Sequence, residues 1–150
     1  VPELNDLNIN ETLQLNYDYL KSRISSKVRF MLVLPKHQLL IPHNRILLSW
    51  VIENIVKNAV DSMKGEGNLE IDLYEKNNHI VIDFKDTGSG MTNYQAANAF
   101  KAGYSTKKRG WGLGLSLAKR VIKEYHRGDI KIAHTEVGKG TTFRIIMKNS

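Results

Sequence analysis

The chain has no cysteine, no apolar run longer than a few residues, and no acidic residue between Thr87 and Lys123. Without cysteine there is no disulfide and no thiolate metal site, which fits a reducing compartment. Without a long apolar run nothing reads as a bilayer span or a signal peptide, and the chain is read as soluble. The acid-free stretch nevertheless carries seven basic residues: Lys101, Lys107, Lys108, Arg109, Lys119, Arg120 and Lys123. Of 22 basic and 15 acidic residues in all, the remaining 15 basic ones offset the acids, so the whole net charge of +7 resides there. That favours a localised anion site over a diffuse basic surface. The 150 residues fit one domain, 1–150, with a leading helix inside 1–26. Because the chain begins at Val1 rather than Met, we expect a fragment of a longer protein.

Helix-like spacing predicts a helix over Asn10–Ser26, and alternation predicts a strand over Lys27–Leu34 that Pro35 ends. A brief strand, Leu39–Ile41, is expected before Pro42. From Asn44 to Met63 the apolar stripe Leu47, Leu48, Val51, Ile52, Ile55, Val56, Ala59, Val60 and Met63 predicts a long helix opened by an Asn cap. Strands Leu69–Tyr74 and His79–Lys85 read as a hairpin around Asn77-Asn78. A short helix within Thr92–Lys101, a loop over Gly103–Gly110, a third long helix over Leu113–Tyr125 and strands Asp129–His134 and Thr141–Met147 complete the chain. Three long helices and a mixed sheet of about five strands predict a two-layer α/β sandwich.

Glycine clusters at Gly88/Gly90, Gly110/Gly112/Gly114 and Gly138/Gly140 ask for tight turns or close backbone approach to a ligand. The middle cluster opens a helix, where free amides and the dipole can meet phosphate. It is not a dinucleotide fingerprint, because a basic loop rather than a strand precedes it, and no Walker A loop is present. Asn54, Asn58 and Asp61 fall within roughly 60° on one rim of the long helix. That rim is either a solvated polar face or a set of oxygen donors for a hard cation such as Mg²⁺. Asp86 closes an apolar strand; its carboxylate suits an exocyclic amine such as that of adenine, or belongs to an ordinary turn. An aspartic protease would need a second Asp-Thr-Gly or Asp-Ser-Gly, which the chain lacks.

Taken in order, Asn54-x-x-x-Asn58, Asp86-x-Gly88-x-Gly90, Phe100 with Gly103-Tyr104-Ser105-Thr106-Lys107, Gly110-x-Gly112-Leu113-Gly114-Leu115 and Gly138-x-Gly140-Thr141 resemble the N, G1, F, G2 and G3 boxes of sensor histidine kinases. The chain resembles the catalytic, ATP-binding domain of that family, within the wider GHKL group and its Bergerat fold. The resemblance implies ATP and Mg²⁺ as ligands, with Asn58 on the metal, Asp86 on the adenine amine, and Gly88, Gly90 and Met91 beside the base. It further implies a lid from Tyr104 through Ser105, Thr106 and Lys107 to Arg109, with Lys107 on phosphate, and Gly110, Gly112, Leu113, Gly114 and Leu115 around the phosphates. Thr141 would support the adenine side, and Asn54, Asn58 and Lys107 would carry the catalytic role.

Two positions depart from the pattern. Asn54 stands where the ATP-hydrolysing relatives carry glutamate, and an amide cannot take a proton from water. Histidine kinases resemble the chain there, which favours transfer to a histidine; Glu53 is adjacent but about 100° away on the helix. Asp61 stands where many histidine kinases carry lysine. The five histidines, His37, His43, His79, His126 and His134, lack the phosphoacceptor setting and are read as surface or loop residues. The implied partners are a separate dimerisation and phosphoacceptor domain and a downstream response regulator. Nucleic acid is not expected, and a membrane only through other parts of a membrane-anchored kinase whose cytoplasmic portion this is. The rival readings are a GHKL ATPase or serine kinase of the anti-sigma type, and a non-catalytic nucleotide- or nucleic-acid-binding module.

Overall fold

The computed structural model describes residues 2–104 and 114–149. Its elements run β1 (Asn5–Asn8), α1 (Ile9–Lys21), β2 (Val28–Val33), β3 (Leu40–His43), α2 (Arg45–Ser62), β4 (Gly67–Lys76), β5 (His79–Asp86), α3 (Asn93–Asn98), α4 (Gly114–Arg120), β6 (Asp129–Glu136) and β7 (Gly140–Lys148). The main sheet is five-stranded in the order β2-β4-β5-β7-β6. Only β2 and β4 are parallel; the other three pairings are antiparallel. The expected mixed five-stranded sandwich is therefore the fold.

Alternation in the strands decides where the core lies. Ile80, Ile82 and Phe84 of β5, Leu69, Ile71 and Leu73 of β4, and Phe143, Ile145 and Met147 of β7 are all buried. They face Leu48, Val51, Ile52, Ile55, Val56 and Ala59 of α2 and Ala118, Val121 and Ile122 of the α4 region within one cluster. Each such aliphatic side chain contributes about 1.5–3 kcal/mol on burial. The opposite phase of the strands forms a polar face. There Arg144 Nε and Nη2 donate to Asp83 at 2.8 and 3.1 Å, and the Tyr74 hydroxyl donates to the same carboxylate at 2.9 Å.

Helix α2 starts where expected, with the Asn44 side chain accepting from Leu47 N at 3.0 Å. The first helix is shorter than expected and starts earlier, capped by Asn8. Strand β1 was not foreseen; it pairs antiparallel with β3 in a separate two-stranded ribbon. Strand β3 runs through Pro42 instead of stopping before it, which an edge of a two-stranded ribbon tolerates. The third long helix is two pieces: α4 passes into a π-helical turn at Val121–Tyr125.

Two histidines correct the surface assignment. His43 is fully buried in β3, its Nδ1 donating to the Ile41 carbonyl at 2.7 Å and its Nε2 lying 2.8 Å from Thr12 Oγ1. His126 is buried as well; Nδ1 donates to the Val121 carbonyl at 3.0 Å and Nε2 accepts Asn44 N at 3.1 Å. Burial holds both imidazoles below the usual histidine pKa, so each is a neutral staple between elements.

Candidate functional site

Asp86 continues the inward phase of Ile80, Ile82 and Phe84, so the alternation of β5 carries a carboxylate onto the core side at the sheet's end. It is 7% exposed. Its Oδ1 accepts Gly88 N at 2.8 Å and Thr141 N at 3.2 Å, which leaves Oδ2 without a protein donor among the described residues. Burial pushes its pKa up, and the two backbone donors partly oppose that shift. The result is a hydrogen-bond acceptor fixed in orientation and poorly hydrated, suited to a ligand's neutral N–H donor.

Thr141 is the register partner of Asp86 on β7 and lies on the same inward phase. Its hydroxyl sits 2.9 Å from that of Thr135, and Thr135 Oγ1 also accepts Met91 N at 2.9 Å. Thr141 thus supports Asp86 through its backbone amide, while its side chain belongs to an internal network that also places Met91.

The glycines here are required by the protein's own packing. A Cβ on Gly88 would lie 2.1 Å from Ser62 Oγ, and one on Gly90, which has φ +69°, would lie 2.0 Å from the Glu136 carbonyl oxygen. On Gly140 it would lie 2.0 Å from the Asp86 carbonyl oxygen. The clusters therefore seat the loop after β5 between the end of α2 and the β6–β7 turn.

On α2, Asn54 and Asn58 are both partly buried, and Asp61 one turn on is exposed. Asn54 Nδ2 donates to the Trp50 carbonyl at 2.8 Å, and a Cβ on Gly114 would stand 3.0 Å from Asn54 Oδ1. Asn54 therefore abuts the first residue of α4. Glu53 turns elsewhere: it lines a groove of about 380 Å³ between α1 and α2 with Leu15, Tyr19 and Trp50. Its carboxylate lies 3.8 Å from Lys57 Nζ.

Leu115 and Phe100 each pack against the core, and the Phe100 ring meets Phe143 edge-on at 6.0 Å. Tyr104 meets Tyr94 edge-on at 6.3 Å. Ser105, Thr106, Lys107, Lys108, Arg109, Gly110, Trp111, Gly112 and Leu113 lie outside the described residues. The described residues thus bring Asp86, Gly88, Gly90, Met91 and Thr141 together at one end of the sheet, with Asn54 against Gly114 on the neighbouring helix. Sequence reasoning missed Ser62, Ser89 and Thr135. Ser62 follows Asn54 and Asn58 at the same four-residue interval, which was the available signal.

The fold belongs to a known architecture: the catalytic domain of the histidine kinase ThkA superposes with a TM-score of 0.87 at 22% identity, covering 98% of this chain and 96% of that one. Residues 43–150 match the family described as histidine kinase-, DNA gyrase B-, and HSP90-like ATPase, and the chain belongs to that family. Membership implies ATP binding. Sporulation kinase C of Bacillus subtilis (strain 168) is 39% identical over 100 residues, 67% of this chain and 23% of that protein. The signal transduction histidine-protein kinase AtoS of Escherichia coli (strain K12) is 32% identical over 125 residues, 83% of this chain and 20% of its own length. The chain thus spans about a quarter or less of these two relatives.

Proposed function

We propose that the chain binds ATP with Mg²⁺ and donates the γ-phosphoryl group to a histidine on a separate dimerisation domain in two-component signalling. Asp86 accepts the adenine amine through Oδ2, and Thr141 N and Gly88 N hold the carboxylate in place. The hard oxygen of the Asn58 amide fits Mg²⁺, which takes few protein ligands and shares phosphate oxygens. Asn58 would hold the ion, whose charge would offset that of the phosphates. The amides at the start of α4 and Lys107 of the lid serve the phosphates. The partners in this reading are the dimerisation domain and a response regulator, and the chain is the cytoplasmic part of a membrane-anchored sensor. No described helix is long and apolar enough to cross a membrane.

The observation that carries transfer over hydrolysis is the pairing of Asn54 and Glu53. The residue against the start of α4 is an amide, while the neighbouring carboxylate lies in the α1–α2 groove. An amide at that position cannot take a proton from water. The test is calorimetric titration with ATP and Mg²⁺, followed by incubation of the full-length protein with γ-labelled ATP. Binding with slow phosphate release and an acid-labile phosphohistidine is the expected result. No binding at millimolar ATP, or release to water as fast as a true ATPase, refutes it.

A further inference from the structure

The loop that follows Asp86 is tied on both sides. On the sheet side Gly138 N donates to the Ser89 carbonyl at 2.7 Å, Met91 N to Thr135 Oγ1 at 2.9 Å and Thr87 N to the Asn68 carbonyl at 3.1 Å. On the helix side the oxygen ties come from Ser62. Ser89 N donates both to Ser62 Oγ at 3.0 Å and to the Ser62 carbonyl at 3.2 Å, and the two hydroxyls are 3.3 Å apart. Ser62 Oγ also occupies the space that a side chain at Gly88 would need. Ser62 sits one turn beyond Asn58 on the same helix. It therefore joins the helix of Asn54 and Asn58 to the loop whose Gly88 amide orients Asp86.

We infer that Ser62 and Ser89 are a positioning pair, which holds the Asp86 loop at a set distance from α2 and so aligns the base-binding end of the site with the phosphate-binding end. This rests on the ATP reading above. Neither residue touches the ligand; both act through Gly88 and Asp86. Removing one net hydrogen bond from a pre-organised loop weakens binding about fivefold. That loss falls on ligands that carry the base.

The experiment compares wild type, Ser62→Ala, Ser89→Ala, the double variant and Ser62→Thr, with ADP and inorganic tripolyphosphate as probes in calorimetry. Amide exchange at Ser89 is followed in the ligand-free protein. Ser62→Ala should weaken ADP about fivefold and leave tripolyphosphate within about twofold, with faster Ser89 exchange. Ser62→Thr, which keeps the hydroxyl, should restore both, and the double variant should lose less than the sum of the singles. Equal losses for ADP and tripolyphosphate, or unchanged ADP affinity and Ser89 exchange, overturn the pair. A wild type that binds no ATP overturns the nucleotide reading, and the pair falls with it.

Discussion

Replacing Asp86 with asparagine separates the recognition role of this residue from its structural one. Asp86 Oδ1 accepts Gly88 N at 2.8 Å and Thr141 N at 3.2 Å, so truncation to alanine would orphan two buried donors at about 1–3 kcal/mol each. Asparagine keeps an oxygen for both amides, and they dictate its orientation: the oxygen turns inward and Nδ2 takes the place of Oδ2. A donor then faces the adenine amine, which is itself a donor. The lost bond is one to a charged acceptor, worth about 1.5–3 kcal/mol, so the dissociation constant for ATP should rise about 10- to 150-fold. Stability should hold or improve, because burial already disfavours the ionised carboxylate. Inosine triphosphate, with a carbonyl in place of the amine, should gain on ATP in the variant, and the ratio of the two affinities should invert. Calorimetry with both nucleotides, beside a melting curve, reads all of this. An Asp86→Asn chain that binds ATP within about threefold of wild type, with unaltered preference over inosine triphosphate, refutes the assignment.

Asn54→Glu places a carboxylate against the start of α4, and phosphate release at saturating ATP should rise at least about a hundredfold, the lower reach of general-base catalysis. An unchanged rate would remove Asn54 as the reason for slow hydrolysis. Gly140→Ala forces a Cβ to 2.0 Å from the Asp86 carbonyl at φ +131° and should cost about 3 kcal/mol or more. Gly138→Ala, at φ +81° with nothing within 4 Å, should cost about 1 kcal/mol, a contrast calorimetric melting resolves. His43 and His126 have folded pKa values below the ordinary 6.5, so the unfolded chain binds more protons between those values and 6.5. Stability should therefore fall as pH drops through that window and stay flat well above it. His126→Gln should make the fall shallower in urea titrations at several pH values, and an equal fall would refute the staple.

Much of the fold was legible because local pattern and global architecture agree. Alternation along β5 marked Asp86 as the close of an apolar strand, and the stripe of α2 with its Asn44 cap defined the long helix. What escaped was decided at long range. Asn5-Asp6-Leu7-Asn8 has no strand pattern, and only pairing with β3 makes it one. The π-helical turn keeps the same apolar residues that an α-helix would, so periodicity cannot reveal it. His43 and His126 have nothing local to mark them as buried; their partners come from α1 and from the start of α2. In the site, composition pointed to glycine but could not name the protein neighbours that confine it. Gly90 and Gly140 are squeezed by Glu136 and Asp86, which only the folded sheet brings near.

Those neighbours bear on how the site works. Ser62, Glu136, Gly138 and Thr135 close on the loop, so the protein's own contacts fix the orientation of Asp86. A pre-aimed acceptor lowers the ordering cost of binding, and it also makes the base end rigid relative to α2. Rigidity at that end throws adjustment onto the phosphate end, between Asn54 and the start of α4. In the proposed reading, an amide that cannot deprotonate water would leave the γ-phosphoryl group intact until an outside nucleophile reached it. A rigid base end and a chemically passive phosphate end together suit a donor that must wait for its acceptor.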